Sequence, residues 1–588
     1  MRSYEKSSGF IPELFSFHIN HPAIFSVNLG NKSVMKNLEI YCLNTDKSDN
    51  FPLGTTLSEI AKKMGISLEG PICGAYVNNR VKPMDFELVK PKQIEFFDYA
   101  NRDGQRIYLR SLSFILYAAV KNLWPDARLK IDHAISKGYY CRIEELDHPL
   151  TEEDIWQIKE EMKNLIHQNL PIERKAISTE KATELYEKEG LTRKAELFKG
   201  YGRLYAPIFE LGGHFNFFYG HQLISTGQIG KFGLEKYFDG LLLRFPKQNN
   251  MDELEPAVEQ EKLFGIFREH KQRTALLGVN DISHLNQMTA IGRAGDVIKV
   301  SEALHEKKIA EIATIISERE NKVNLVLIAG PSSSGKTTFS KRLSVQLAVN
   351  GLHAIQISLD DFFVDRDHTP LDEHGAFDFE ALEAIDIKYF NQILVKLFNG
   401  ERVEMPRFDF QSGERTFKDE FIQLDKDHIL IIEGIHGLNP GLIPMIEPEK
   451  CYKIFISALT QISIDEHTYV PTTDNRLLRR MIRDAKYRGY SASTTIQRWP
   501  SVRRGEEKYI FPYQENADII FNSALVYELA VLKRYANILL KTVKENESEY
   551  SEAVRLLVFI SYFSFIPETE IPPTSVLREF LGGSSFDY

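Results

Sequence analysis

Eight consecutive residues, Gly330-Pro331-Ser332-Ser333-Ser334-Gly335-Lys336-Thr337, carry the pattern G-x-x-x-x-G-K-[ST] in full. Glycines at its two ends let the backbone curl until successive N–H groups converge on one point, at the positive end of a following helix. Such a cradle holds phosphate oxygens. Lys336 supplies a cation for the outer phosphates of a nucleoside triphosphate. The Thr337 hydroxyl supplies a hard oxygen for Mg²⁺, and Thr338 continues the first turn. The expected cofactors are therefore ATP and Mg²⁺, with residues 330–338 as the nucleotide-binding segment.

Two further segments place carboxylates where such chemistry needs them. HAIQISLDDFF ends in Asp360 and Asp361, and HILIIEGIHGL delivers Glu433. In a parallel sheet, ligands lie beyond the carboxyl ends of the strands. Asp360 is expected to accept the proton of an attacking hydroxyl, with helix capping or a place in the metal shell as the alternatives. Glu433, with Thr337, is expected at the metal. Downstream, DNRLLRRMIRDAKYRG puts Arg476, Arg479, Arg480 and Arg483 on one helical face. A row of cations is tolerable against an anion, so this helix is expected to act as a lid, with Arg479 and Arg483 assisting the transferring phosphate.

The elements that position these residues read plainly. VNLVLIAG is a strand buried on both faces, and TTFSKRLSVQLAV is a helix. From Val323 to about Leu540 strands and helices alternate, which implies a parallel sheet covered by helices. At 588 residues the chain is too long for one core. A composition of 43% apolar and 26% charged residues is that of globular protein. The net charge of −10 argues against general binding of duplex DNA. Cys42, Cys73, Cys141 and Cys451 are scattered and form no metal or disulfide motif. No apolar leader or spanning stretch is legible, so a cytoplasmic protein without membrane contact is expected.

The series GPSSSGKTTFSKRL, ISLDDFF, FDFEALEAID, MPRFDF, IIEGI, DNRLLRRMIRD and ENADIIFN resembles the uridine/cytidine kinase and phosphoribulokinase family across about 323–523. The resemblance implies transfer of the ATP γ-phosphate to a hydroxyl of a nucleoside, with Asp360 as general base. It also implies a substrate group at Glu380, Phe408, Phe410, Arg415 and Arg476. Two departures stand out. Glu380 replaces the aspartate that holds the ribose diol. Phe408 and Gly413 replace the tyrosine and histidine that read the pyrimidine edge. A site without those polar readers cannot discriminate by hydrogen bonding as they do. A sugar or polyol acceptor is the alternative, and an RNA-associated ATPase switch is the rival of another class. Phe362, Phe363, Phe408 and Phe410 stack on a base or belong to the core.

The N-terminal half resembles threonyl-tRNA synthetases. NFPLGTTLSEIAKKMG through FFDYANRDGQRIYLRS is similar to their TGS module. KNLWPDARLKID, GYYCRIEELDHPL and STGQIGKF are similar to the editing-type domain that follows it. Where the family's metal-binding or editing residues belong, this chain has Arg110, Phe114, Phe218 and Gln222, a set unfit for metal or base chemistry. His214 and His221 are expected to be structural. RNA binding by this half, a regulatory role and homo-oligomer formation all remain open.

The expected architecture is multidomain α/β. It comprises a β-grasp module (37–100), a degenerate α+β editing-like domain (101–245) and a helical connector (246–320). A nucleotide-binding parallel-sheet domain with helices on both faces (321–540) and a C-terminal helix with a tail (541–588) follow. The stretch after the Thr151 helix is read as strands through Pro246.

Overall fold

The computed structural model describes residues 37–587 apart from 201, 320–322, 373, 374, 376, 410, 411, 445 and 461. Phe410 therefore lies outside the described residues.

The first 61 residues of the described chain, Asn37 to Phe97, form a five-stranded mixed sheet around the short helix Leu57–Lys63. Thr56 and Glu59 cap that helix reciprocally. The 22-residue helix Arg102–Leu123 follows, and its buried residues form the spine of the next core. A four-stranded antiparallel sheet and a three-stranded one pack around it. The helix Glu152–His167 begins at Thr151, as its sequence predicts. The Thr151 hydroxyl accepts from the Asp154 N–H, and the Asp154 carboxylate accepts from the Thr151 N–H at 2.7 Å. The run of strands expected after it is corrected. Thr179–Lys188 and Thr192–Lys199 are helices, because Ala182, Tyr186, Ala195 and Phe198 recur at helical spacing toward the core. The segment expected as a helical connector opens instead with a two-stranded pairing, Pro246–Lys247 against Asn250–Leu254, before its helices begin.

In the C-terminal half the elements are β1 (Leu325–Ala329), α1 (Lys336–Val349), β2 (His353–Ser358), α2 (Ile387–Phe398), β3 (Val403–Asp409), β4 (Glu414–Ile422), β5 (His428–Glu433), β6 (Cys451–Ser457), α3 (Thr472–Arg483), α4 (Ala492–Tyr509), β7 (Ile519–Asn522), α5 (Glu528–Leu540) and α6 (Tyr550–Ser561). The sheet runs β2-β5-β1-β6-β7, and every pairing is parallel. β1 is buried along its whole length, as its unbroken apolar run requires. β3 and β4 form an antiparallel hairpin apart from this sheet.

The halves are joined by buried polar contacts as well as apolar ones. Residues 462–470, between β6 and α3, reach the N-terminal half. There Asp465 meets Lys194 at 3.2 Å, both wholly buried. Glu466 accepts from the Arg193 N–H at 2.7 Å, and its carbonyl accepts from the Ile131 N–H at 2.9 Å. A charge pair of this kind stays buried only while both partners are present, so the two halves are mutually dependent.

Candidate active site at the phosphate-binding loop

The loop 330–337 leaves β1 and enters α1. Gly335 has φ +84°, and a Cβ there would lie 2.4 Å from Val576 Cγ2, so both conformation and space require glycine. The Lys336 ammonium donates to the Gly330 carbonyl at 3.0 Å and stays over its own loop. The Thr337 hydroxyl donates to Glu433 Oε1 at 2.9 Å. The two residues expected to hold a divalent cation are thus in contact. Their hard oxygens, on the rim of a phosphate cradle, fit Mg²⁺.

β2 ends at Ser358, and the following turn separates the two aspartates. Asp361 is paired with Arg407 at 3.0 Å and accepts from the Phe408 N–H, tying the β3–β4 hairpin to the sheet. Asp360 is exposed, and its carboxylate has no ion pair among the described residues. It perturbs both Glu433 and Glu380, which places it within electrostatic reach of each. Glu433 is pushed up to about 7 by desolvation, with Lys336 opposing the shift and Asp360 adding to it. Glu380 is likewise pushed up to about 7 by burial, with Glu506 and Asp360 adding and Arg480 and Lys336 opposing. It rests on the α4 backbone, where a Cβ at Gly505 would meet Glu380 Cβ at 2.4 Å. Asp360, Glu380, Glu433, Lys336 and Arg480 therefore converge from five segments far apart in sequence.

The arginine helix departs from the expected open row. Arg476 is buried, ion-paired with Glu506, stacked 5.3 Å from Trp499, and donates to the Ser332 carbonyl at 2.9 Å. Arg479 is buried between Glu528 and the Ser523 carbonyl, with the Phe580 ring 5.2 Å away. These two hold the loop from behind and are already ion-paired, because residues on one helical stripe differ in which turn meets the core. Arg480 donates to the Ser332 hydroxyl at 2.8 Å and remains partly exposed, as does Arg483. Arg480 is the cation the sequence reading did not single out. Glu506 is a second such residue, because it accepts from the Ser332 N–H at 3.1 Å. Just beyond α3 a π-turn, Asp484–Arg488, reverses the chain.

The remaining expected substrate residues lie about the hairpin. Arg415 pairs with Asp386 at 3.1 Å and donates to the Phe363 carbonyl, so it anchors the hairpin to α2. Phe408 is half-buried, its ring 5.6 Å from Phe363. Phe362 is core, against Phe390. Gly413 has φ +79° and lies against Arg366, where a Cβ would come within 2.8 Å of Nε. A histidine does not fit there.

Residues 325–530 match the sequence profile described as "Phosphoribulokinase / Uridine kinase family". This segment is a domain of that family. The kinase-family domain is joined to an N-terminal region that is similar to threonine–tRNA ligases. That of Desulforamulus reducens is 31% identical over 147 residues, 25% of this chain and 23% of the ligase. That of Oceanobacillus iheyensis is 32% identical over 185 residues, 31% of this chain and 28% of the ligase. The chain thus spans about a quarter of the length of these curated relatives. A solved structure described as a possible uridine kinase from Bacillus stearothermophilus is 18% identical and covers 37% of this chain and 98% of that one, with a TM-score of 0.26. A likeness of that size carries no argument about activity.

Of the four positions unfit for metal chemistry in the N-terminal region, Phe114 and Phe218 meet. The Phe114 and Phe218 rings lie 5.5 Å apart, and a Cβ at Gly220 would sit 2.4 Å from the Arg110 guanidinium. Gln222 is buried beside them in sequence, and its amide atoms have no hydrogen-bond partner among the described residues. His214 bonds Asn122 at 2.9 Å.

Proposed function

We propose that the kinase-family domain transfers the γ-phosphate of ATP to a hydroxyl of a nucleoside-like small molecule, with Asp360 as general base. The observation that carries this reading is the exposed Asp360 carboxylate just beyond β2, within electrostatic reach of Glu433, which itself touches Thr337. The acceptor oxygen forms a bond to the γ-phosphorus as the bond to the β–γ bridging oxygen breaks. The acceptor proton passes to Asp360, and ADP leaves. The backbone N–H groups of Ser333 and of 335–337 hold the phosphates, and Lys336 and Arg480 offset the charge carried by the transferring group. Thr337 and Glu433 would hold Mg²⁺, which when bound would neutralise further charge on the phosphates. Glu380 is placed to accept a hydrogen bond from a second hydroxyl of the acceptor.

Phe408 and Gly413 make the base-reading side of the site apolar. A sugar or polyol acceptor is therefore the second reading, supported by the carboxylate of Glu380 and by the absence of polar readers at those two positions. The test is a screen of nucleosides, pentoses and polyols with Mg-ATP, following ADP and phosphorylated acceptor together. Product with a pyrimidine nucleoside, lost in Asp360→Asn, supports the first reading. Product with a sugar alone moves the acceptor to the second. ADP without any phosphorylated acceptor overturns both.

A further inference from the structure

The first turn of α3 is anchored from outside the kinase-family segment. Pro471 stands at its N-cap and offers no side-chain cap. The anchor is Asp474, which lies in that first turn and is buried. Arg555 of α6 grips the Asp474 carboxylate with two bonds, Nη1 to Oδ2 at 2.6 Å and Nη2 to Oδ1 at 2.8 Å. Such a fork fixes direction as well as distance. Arg555 is held in turn by Glu552 of its own helix, which accepts from Nε at 2.8 Å. Glu552 also accepts from Arg106 of the helix Arg102–Leu123, at 2.6 and 3.0 Å. Arg106 pairs with Asp103 at 2.8 Å, and Asp103 accepts from the Tyr76 hydroxyl at 3.0 Å. A continuous series of charge-assisted bonds thus runs from the five-stranded N-terminal sheet, through the long helix and α6, to the start of α3. A second tie joins α6 to the same sheet, since Arg80 donates to the Tyr550 hydroxyl at 2.7 Å.

Further along α3, Arg476 donates to the Ser332 carbonyl and Arg480 to the Ser332 hydroxyl. We propose that Arg555 is a positioning residue for the phosphate-binding loop, through which the N-terminal half sets the geometry of the nucleotide site. Arg555 fixes the height and rotation of α3, and so the place at which Arg476 and Arg480 meet Ser332. Its effect on rate rests on the phosphotransfer reading, whereas its effect on nucleotide affinity does not. Arg106, Glu552 and Arg555 all lie outside residues 325–530, so the joining of the two halves makes this arrangement and the family segment alone does not.

The test uses the full chain and reads melting temperature, Mg-ADP affinity by calorimetry, and kcat with any acceptor that is phosphorylated. Arg555→Met leaves Asp474 buried without its partner. It is expected to lower the melting temperature and to weaken Mg-ADP by about fivefold or more. Adding Asp474→Asn removes the stranded charge. The double variant is expected to regain much of the melting temperature while its affinity stays reduced. Arg555→Lys keeps the charge without the fork, and is expected to lie between Arg555→Met and wild type in affinity. It takes the place of Arg555→Met if that variant does not fold. Arg106→Met is expected to weaken Mg-ADP by about twofold or more. Affinity that recovers together with melting in the double variant, or wild-type affinity in folded Arg555→Met or Arg555→Lys, overturns the positioning role. Unchanged affinity in Arg106→Met overturns the part assigned to the N-terminal half. A wild-type protein that binds Mg-ADP but phosphorylates no acceptor overturns the phosphotransfer reading alone, and one that binds no Mg-ADP overturns both.

Discussion

The Glu579 carboxylate accepts a hydrogen bond from the Thr338 hydroxyl at 2.7 Å, so a residue nine positions before Tyr588 touches the first turn of the phosphate-binding helix. Val576 lies against Gly335 and Phe580 against Arg479. A carboxylate beside a helix N-terminus occupies ground that favours phosphate for the same electrostatic reason. Glu579→Ala is expected to lower the KM for ATP by about threefold or more while leaving kcat undiminished. Steady-state kinetics with ATP varied measures it. A raised KM would mean that the tail supports the loop and does not compete for it.

Arg476 and Arg480 are neighbours on α3 with opposite duties. Arg476→Met removes one of the two arginines paired with the buried Glu506, leaving Arg503, and is expected to cost about 3 kcal/mol of stability. Arg480→Ala is expected to leave melting nearly unchanged and to lower kcat at least about tenfold, through loss of a charge beside the transferring group. Paired denaturation and kinetic measurements distinguish the two. Equal effects on both quantities would remove the distinction.

Gly413→His tests whether the missing pyrimidine reader can be restored. The backbone there is left-handed and Arg366 fills the side-chain space, so destabilisation by about 1–2 kcal/mol is expected, without gain of pyrimidine selectivity. Urea unfolding and a comparison of acceptors measure both. A stable variant that prefers uridine would contradict this account of the loop.

Glu380 provides a pH test. Its folded-state value of about 7 lies above the ordinary 4.5, so the parent's stability relative to Glu380→Gln is full below pH 4.5 and is lost as pH rises to about 7. At pH 8 the variant is expected to be the more stable by about 2 kcal/mol, after allowance for solvent contact. Denaturant midpoints at several pH values check the sign. A gap that does not open between those two limits would place Glu380 elsewhere.

Much of the site was legible because the motif residues are local. The loop 330–337, the strand into Asp360 and the strand into Glu433 each lie in one short segment whose pattern fixes its shape. Division of labour among the arginines was not legible. Helical spacing says that 476, 479, 480 and 483 share a face, but not that Glu506 and Glu528, from α4 and α5, cover half of it. The contact of Glu579 with Thr338 was equally hidden, since nothing in LREFLGG marks a docking segment. The helices at 179–199 were missed because two short amphipathic helices between strands give a weak periodic signal.

The most direct test follows the phosphoryl group itself. Wild-type protein is incubated with Mg-ATP labelled with ¹⁸O at the γ-phosphate and with each acceptor that stimulates ADP release, and products are weighed by mass spectrometry. The account predicts that the labelled phosphoryl group appears intact on the acceptor, and that Asp360→Asn abolishes this. Label recovered only in inorganic phosphate would contradict it and make the domain an ATPase.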